Sequence, residues 1–579
     1  MASAYTPAMD VRPILPDLAW VRSYRPAYLR KDIVAGLVLT AILVPAGMGY
    51  AEASGLPPIV GLYASIVPLL TYAAIGPSRI LVLGPDSSLV PLIAAAIVPL
   101  SAGDEARAVT LAALLAVITG VIVIAAGVAR LGFLTALLSA PVRVGYLNGI
   151  ALIVIVGQLP KLFGYSVDAD GLVDEARAFA TGLMNGETIP VALAIGVISL
   201  AVILGFRWLR PSVPGILIAV VGATVVSAVF DLSARSGLPV VGSLPSGLPP
   251  LTIPSIDPGD IVALLPAALG IALVSATDMS VLSRSLSIRR GEEVSQDREL
   301  IGLGGADLAT GFLSGMPVSS SASRTPVAES AGAQTQLTGV VGALLVGVLL
   351  VALPDLLAPL PASALAAVVI AAGLSLADVG AMVRLWRIGS TEFWLALVTF
   401  LGVAFVGVIE GVFIAVGLSL IEFIQRAWWP HDAVLGRADG VKGYHDLAFY
   451  PDARQVPGLL LYRFDAPLFF ANAEVFRDRL RERIAKADEP IRWVVIAAEP
   501  ITDVDTTAAA VLDDLKEELD RRGITLAFAE LKDPIKAKLR RYSALTDVPE
   551  ESMFPTLGTA VSAYVTATGQ EWTDWEEGG

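Results

Sequence analysis

The sequence predicts an α-helical polytopic membrane protein that continues into a cytoplasmic α/β domain. Of the 579 residues, 55% are hydrophobic and only 16% are charged, whereas roughly 25% of the residues in soluble domains are charged. Apolar runs recur from Ile33 to Phe423, and about 20 apolar residues are enough to cross the hydrocarbon core of a bilayer. After Trp429 the composition changes to that of a soluble domain.

The apolar region divides into fourteen membrane segments, and the Gly-, Pro-, Ser- and Leu-rich stretch 232–257 separates them into two halves of seven. Repeat 1 spans about 33–230 and repeat 2 about 259–429. Polar residues interrupt the third segment of each half, which favours an inverted repeat of the kind found in transporters. We therefore predict a 7+7 inverted repeat within a membrane transport domain at 33–429.

Two polar runs carry these interruptions. The first polar run is ILVLGPDSSL at 80–89, and the second is GMPVSSSASRTP at 315–326. Short helices are predicted after them, at 89–98 and from Val327 onward. Half-helices that begin inside the membrane in corresponding halves mark a transporter's substrate site, and their N-termini suit an anion. The alternative is that both runs are ordinary loops with serine caps.

The distribution of basic residues predicts the orientation in the membrane. Arginines at alternate segment ends fall on the same side as the basic N-terminal segment 1–32, whereas the acidic loop 168–187 falls on the other side. The positive-inside rule places the basic side in the cytoplasm. We expect a multi-pass protein of the cell membrane, the inner membrane if the source is bacterial, with both termini cytoplasmic.

The C-terminal region 443–568 is predicted to be one soluble domain. Strands and amphipathic helices alternate in it, which implies βαβ units and a partly parallel sheet. The predicted strands are 458–464, 493–498 and 525–529, and the predicted helices are 473–487 and 507–522.

Composition also excludes several functions. The chain has no cysteine and two histidines, His431 and His445, which both lie outside the apolar region. Disulfides, thiol catalysis and a His/Cys zinc site are therefore excluded. No nucleophile–base pattern is visible, so we expect neither an enzyme nor a cofactor, apart from Na⁺ or H⁺ as a coupling ion. The net charge of −14 does not suggest a nucleic-acid partner.

Several motifs resemble those of the sulfate permease (SulP) family of anion transporters, the relatives of prestin and pendrin. They are PAGMGYA at 45–51, PIVGLYAS at 58–65, GPSR at 76–79, PVRVGY at 141–146 and GQL at 157–159. DVDTTA at 503–508 resembles the strand-to-helix turn of a STAS domain. The resemblance covers nearly the whole chain. It implies a core domain and a gate domain, an elevator-like mechanism and a homodimer.

The resemblance also implies an anion site in the second polar run. Ser321, Ala322, Ser323, Arg324 and Thr325 resemble the Ser-x-Ser-Arg-Ser anion site of the animal members. A guanidinium beside free backbone N–H groups can attract a hydrated oxyanion. The alternative is that the arginine is structural and neutralises a nearby carboxylate.

Asp278 is the candidate coupling residue. A carboxylate inside the membrane is costly and is by default a functional candidate, and by resemblance this position serves cation coupling. It would hold H⁺ or Na⁺, with oxygen atoms of Thr277 and Ser323 nearby. The alternative is a salt bridge between Asp278 and Arg324 without a coupling role.

The first polar run and the first segment complete the candidate site. Asp86 is a favoured helix cap, or is protonated during transport, pairs with Arg324, or helps to bind a cation. By resemblance, Tyr50 lines the anion pocket; the alternative is packing. Ala46 departs from the family's usual glutamine. The remaining lining candidates are Ser87, Ser88, Ser319 and Ser320.

Thr506 stands where the STAS antagonist proteins carry a phosphorylatable serine, so it is a candidate regulatory residue, with packing or docking to a cytoplasmic protein as the alternative. The predicted function is secondary active transport of small anions across the lipid membrane. Sulfate is the default substrate, and bicarbonate and dicarboxylates remain open. The alternatives are an uncoupled exchanger or channel, a nucleobase–cation symporter, and a membrane sensor with STAS output.

Overall fold

The structure is a computed structural model that describes residues 19–136, 138–167, 169, 171–210, 213–254, 257–545 and 548–572. These residues form two compact units, and the division between them falls between Ser419 and Leu420. The first unit is almost entirely helical, and the second contains a six-stranded sheet.

Within the described residues, the first unit contains seventeen α-helices and two short strands, and an eighteenth α-helix runs from it into the second unit. In chain order they are α1 (Ala19–Arg22), α2 (Leu29–Ala53), α3 (Pro58–Ile75), β1 (Leu83–Gly84), α4 (Val90–Ser101), α5 (Glu105–Val128), α6 (Ala140–Leu162), α7 (Leu172–Met184), α8 (Pro190–Leu209), α9 (Gly215–Val229), α10 (Leu232–Ser236), α11 (Pro258–Arg290), α12 (Gln296–Phe312), β2 (Ser319–Ser320), α13 (Arg324–Ser330), α14 (Leu337–Ala352), α15 (Ala362–Leu376), α16 (Val379–Ile388), α17 (Ser390–Leu401) and α18 (Val408–Trp428).

Each of the fourteen predicted membrane segments contains a helix. Within the described residues, eight helices are long and apolar enough to cross a membrane. Four shorter apolar helices accompany them, among them Val90–Ser101 after the first polar run and Leu337–Ala352. The polytopic helical fold is therefore confirmed.

The membrane helices pack in two groups. One group brings α2–α5 of the first half against α11, α12 and α14 of the second, and the other brings α6 and α8 against α15, with α17 on α6. Small residues allow the closest approaches. A methyl group on Gly61 of α3 would lie 1.9 Å from the carbonyl oxygen of Gly47 in α2, so only glycine permits these helices to touch here.

The helix after the second polar run is shorter than predicted. It begins at Arg324, not at Val327, and ends at Ser330. Two features end it: Gly332 has a φ of +100°, which disfavours other residues, and Asp32 accepts hydrogen bonds from the backbone N–H groups of Gln334 and Thr335. The chain therefore turns away toward α2 before α14 begins.

The second unit is a mixed sheet covered by helices. Its elements are β3 (Asp432–Arg437), β4 (Tyr444–Asp446), β5 (Leu459–Phe464), α19 (Ala473–Ala485), β6 (Trp493–Ala497), α20 (Thr506–Arg521), β7 (Thr525–Ala529), α21 (Asp533–Arg541), β8 (Met553–Phe554) and α22 (Leu557–Thr568). The strand order is β4-β3-β5-β6-β7-β8, parallel from β5 to β8. The predicted strands 458–464, 493–498 and 525–529 match β5, β6 and β7, whereas the short edge strands had no clear sequence pattern.

Alternating strand residues build the two faces of this sheet. Tyr462 and Phe464 of β5 pack with Phe476 of α19 on one face. Leu461 of the same strand packs with Tyr564 of α22 on the other. Because successive side chains of a strand point to opposite faces, the continuous apolar run of β5 reflects burial on both sides.

Candidate anion-binding site

The two polar runs meet in the interior of the first unit. β1 and β2 pair antiparallel, with Leu83 opposite Ser320 and Gly84 opposite Ser319. The backbone N–H of Ser321 extends the pairing by donating to the carbonyl oxygen of Val82 at 3.0 Å, and the Val82 N–H donates to the Thr325 hydroxyl at 3.1 Å. Two segments that are remote in sequence therefore satisfy each other's backbone groups inside the membrane region.

Arg324 lies where the runs meet, and its side chain is 1% exposed. Its Nε donates to the Ser321 hydroxyl at 2.8 Å, and its Nη2 donates to the backbone carbonyl oxygen of Pro85. The remaining nitrogen, Nη1, is buried and has no hydrogen-bond partner among the described residues. The guanidinium is thus held from both runs while one of its donors stays available.

Two buried serine hydroxyls close to Arg324 in the chain also lack a hydrogen-bond partner among the described residues. The Oγ atoms of Ser319 and Ser320 in β2 have no hydrogen-bond partner within the described part of the chain. A buried donor without a partner costs about 1–3 kcal/mol, and more when it is charged. An acceptor-rich anion can recover part of that cost at the Arg324 nitrogen.

Two carboxylates lie on either side of Ser88. Its Oγ is 3.0 Å from Oδ1 of Asp86 and 3.0 Å from Oδ2 of Asp278 in α11. The Ser88 N–H also donates to Asp86 Oδ1 at 3.1 Å, which is the local turn expected of an Asp before a helix. The candidate coupling residue and the first polar run are therefore connected through one hydroxyl.

The structure brings most of the candidate residues to this place. Tyr50 of α2 is buried and interacts electrostatically with Asp86 and Arg324. Ala322 and Ser323, in contrast, are exposed. The Thr277 hydroxyl donates to the Leu273 carbonyl of its own helix at 2.7 Å.

No ion pair joins Asp278 to Arg324 among the described residues; Asp278 accepts from Ser88 instead. Nor do those residues contain a group of three or more His, Cys, Asp or Glu arranged to hold a metal ion.

Three carboxylate residues with no exposed surface were not singled out by the sequence. Asp32 in α2 accepts from the Thr335 and Thr338 hydroxyls and from two backbone N–H groups. Glu299 of α12 accepts from the hydroxyls of Tyr72 and Ser78. Asp307 accepts from the Val318 N–H at 2.8 Å, just before β2. The signal for Glu299 and Asp307 was an acidic residue within a predicted membrane segment.

Thr506, the candidate regulatory residue, is exposed in the first turn of α20. The Asp505 carboxylate caps that helix by accepting from Ala508 N–H at 2.8 Å. Beside it, the hydrogen bond from the Lys538 ammonium lowers the pKa of Asp503 below its usual range, aided by the backbone N–H of Val504 and opposed by partial desolvation. The Thr506 side chain is therefore exposed at the N-terminal end of α20.

Together the fold and the site define a polytopic membrane transporter with a mixed-sheet C-terminal domain. The sequence profile of the Sulfate permease family matches residues 29–399, and that of the STAS domain matches residues 450–560. The chain belongs to the sulfate permease family, which confirms the resemblance drawn from its motifs.

Known relatives agree along nearly the full length. The chain is 43% identical over 558 residues to a probable sulfate transporter of Mycobacterium tuberculosis (strain CDC 1551 / Oshkosh), covering 96% of this chain and 99% of the relative. It is 32% identical over 584 residues to the probable sulfate transporter 4.2 of Arabidopsis thaliana, covering 97% and 85%. These relatives are named transporters, and the chain is a transporter and not an enzyme.

A solved structure shares the fold. The murine solute carrier 26 family member A9 anion transporter, in its inward-facing state, superimposes with a TM-score of 0.86 at 23% identity, over 96% of this chain and 94% of that one. This likeness confirms the architecture of helical membrane unit plus STAS domain.

Proposed function

We propose that the protein carries out secondary active transport of small anions, with sulfate as the default substrate and H⁺ or Na⁺ as the coupling ion. The observation that carries the proposal is Arg324, a buried guanidinium held by both polar runs with Nη1 unpartnered among the described residues. A guanidinium forms strong charge-assisted hydrogen bonds to oxyanions. The names of the relatives support sulfate.

Asp278 is the proposed coupling residue. Its carboxylate accepts a hydrogen bond from Ser88 of the first polar run. A cation bound there therefore acts on the run whose Pro85 carbonyl oxygen accepts a hydrogen bond from Arg324. Coupling between two ligands requires that each changes the binding free energy of the other. A shared local network provides a direct route for that change.

The proposed motion is elevator-like. The helix group α2–α5 with α11–α14 carries both polar runs, and the group containing α6, α8, α15 and α17 forms the proposed gate. The Tyr146 hydroxyl of α6 donates to the Ser88 backbone carbonyl at 3.3 Å, so the site lies against the gate. We further propose a homodimer, cytoplasmic termini, and a regulatory role for the STAS domain. The sequence placed this domain at 443–568, but its sheet already begins with β3 at Asp432.

The test is uptake of labelled sulfate and labelled bicarbonate into proteoliposomes, with pH and sodium gradients imposed in turn. We expect concentrative sulfate uptake that follows one gradient and is lost in Arg324→Ala. Asp260→Asn, which removes the partner of Arg107 in the first turn of α11, is the matched control and should transport normally.

Equilibration of sulfate without accumulation under either gradient would replace the coupled transporter with an exchanger or channel. Absence of sulfate and bicarbonate flux, with binding intact, would favour the sensor alternative.

A further inference from the structure

The contacts of Ser88 with Asp86 and Asp278 limit how many of the two carboxyl groups can be ionised at once. A serine hydroxyl has one hydrogen to donate and lone pairs to accept with. Ser88 Oγ lies 3.0 Å from a carboxyl oxygen on each side. It can point that hydrogen directly along only one of the two contacts, so the second contact is a linear hydrogen bond only if the other carboxyl carries a proton and donates it.

The other donors to these carboxyls do not change this count. Asp86 also accepts from the Ser88 N–H, but this bond does not supply the missing hydrogen between Ser88 and Asp278. If both carboxyl groups were ionised, at least one of the two contacts would bring the Ser88 oxygen close to a carboxylate oxygen without a hydrogen pointing directly between them. Two carboxylates that share a site do not ionise independently.

We propose that Asp86 and Asp278 form one acid pair that holds a single proton through Ser88, and that this proton is the ion coupled to anion transport. The inference rests on the proposed function for its second half only. It extends the coupling site from Asp278 to Asp86, and it selects H⁺ over Na⁺.

The charges that face the pair explain why its proton would matter to the anion. Arg324 of α13 and Tyr50 of α2 interact electrostatically with Asp86, Arg143 of α6 does so with Asp278, and Tyr146 of α6 does so with both carboxyls. With the proton bound, the pair carries one negative charge, and without it two. The additional charge opposes an anion at Arg324.

Linkage then fixes the direction of coupling. If the proton favours anion binding, the anion favours proton binding by the same factor. Anion affinity therefore falls as pH rises, and anion binding is accompanied by uptake of a proton from solution. Both ions are therefore loaded together on one side of the membrane and released together on the other.

A proton shared by Asp86 and Asp278 can be detected by infrared spectroscopy without any substrate. Infrared difference spectra of the purified full-length protein, recorded across pH, detect the carbonyl stretch of protonated carboxylic acids. We expect Asp86→Asn and Asp278→Asn each to remove the same band, and the double variant to remove nothing further. An asparagine supplies its own N–H to Ser88, so the pair no longer needs the proton. Asp260→Asn should leave the band unchanged.

Transport measurements test the second half. Both single variants should lose acid-driven sulfate accumulation in proteoliposomes, and Ser88→Ala should weaken the dependence of accumulation on pH.

The proposal of a shared proton would be wrong if the two single variants lost different infrared bands and the double variant lost both. Accumulation driven by sodium and indifferent to pH would overturn proton coupling. If no sulfate moves under any gradient, the proposed substrate fails, and the infrared result still decides the pair.

Discussion

Arg324 donates through Nη2 to the backbone carbonyl of Pro85, a residue 239 positions earlier in the chain. This bond joins the second polar run to the first at the point where β1 and β2 pair. Neither run satisfies all of its own polar groups, and unpaired polar groups are costly away from water. The site is therefore a product of both halves of the membrane unit.

Substitution of Arg324 should separate the roles of charge and geometry. Arg324→Ala removes charge-assisted bonds worth about 1.5–3 kcal/mol each, so the KM for sulfate should rise at least about tenfold. Arg324→Lys keeps the charge but loses the planar fork, and its KM should lie between those of the wild type and the alanine variant. Uptake kinetics in proteoliposomes provide the measurement. An unchanged KM in Arg324→Ala would make the arginine purely structural.

Gly84 gives a second test of the same guanidinium without altering it. A methyl group at Gly84 would lie 3.1 Å from Nη1 of Arg324, so Gly84→Ala should displace the guanidinium and raise the KM about tenfold, or about 1.4 kcal/mol. Gly270→Ala in α11 is the control, since its methyl group would make only ordinary contacts, at 3.7 Å and beyond. Equal KM values for the two variants would count against a role for Nη1.

Gly61 tests the packing of the membrane unit. Because its added methyl group would overlap the Gly47 carbonyl oxygen of α2, Gly61→Ala should force α2 and α3 apart and destabilise the fold by about 3 kcal/mol. Thermal stability and monodispersity in detergent report this change. Gly222→Ala in α9, where nothing lies within 4 Å, should behave like the wild type. A stable Gly61→Ala protein would mean that α3 can shift at little cost.

Glu175 predicts a pH dependence of stability. Burial raises the pKa of Glu175, in α7 outside the membrane-spanning segments, to about 7. An acid whose pKa is raised by folding destabilises the protein as pH increases from its unfolded value, near 4.3, through the folded value. Glu175→Gln should therefore raise the unfolding temperature by ~2 °C at pH 8 and leave it unchanged at pH 4.

The exposed neighbour Asp174, paired with Arg177 at 2.8 Å, provides the control for this experiment. Asp174→Asn should not stabilise the protein at pH 8, because an exposed carboxylate keeps its hydration. A pH-independent effect of Glu175→Gln would show that its carboxyl group is hydrated in the folded protein.

Local pattern determined much of the architecture. The apolar segments, the strands β5, β6 and β7, and the motifs of the sulfate permease family could all be read along the chain, because hydrophobic periodicity and turn residues report the environment of their own segment. The residues Arg324, Asp278 and Asp86 were recognisable for the same reason: ionisable groups in an apolar segment are too costly to be incidental.

Tertiary structure decided what those residues do to one another. The pairing of Leu83 with Ser320, the placement of Ser88 between two carboxyls and the end of α13 at Ser330 all depend on contacts between distant segments. The sequence allowed a salt bridge between Asp278 and Arg324, and the fold instead placed Asp278 on Ser88. Helix packing decides which distant segments come within hydrogen-bond distance of a charged side chain. A local sequence pattern does not contain the distance between such segments.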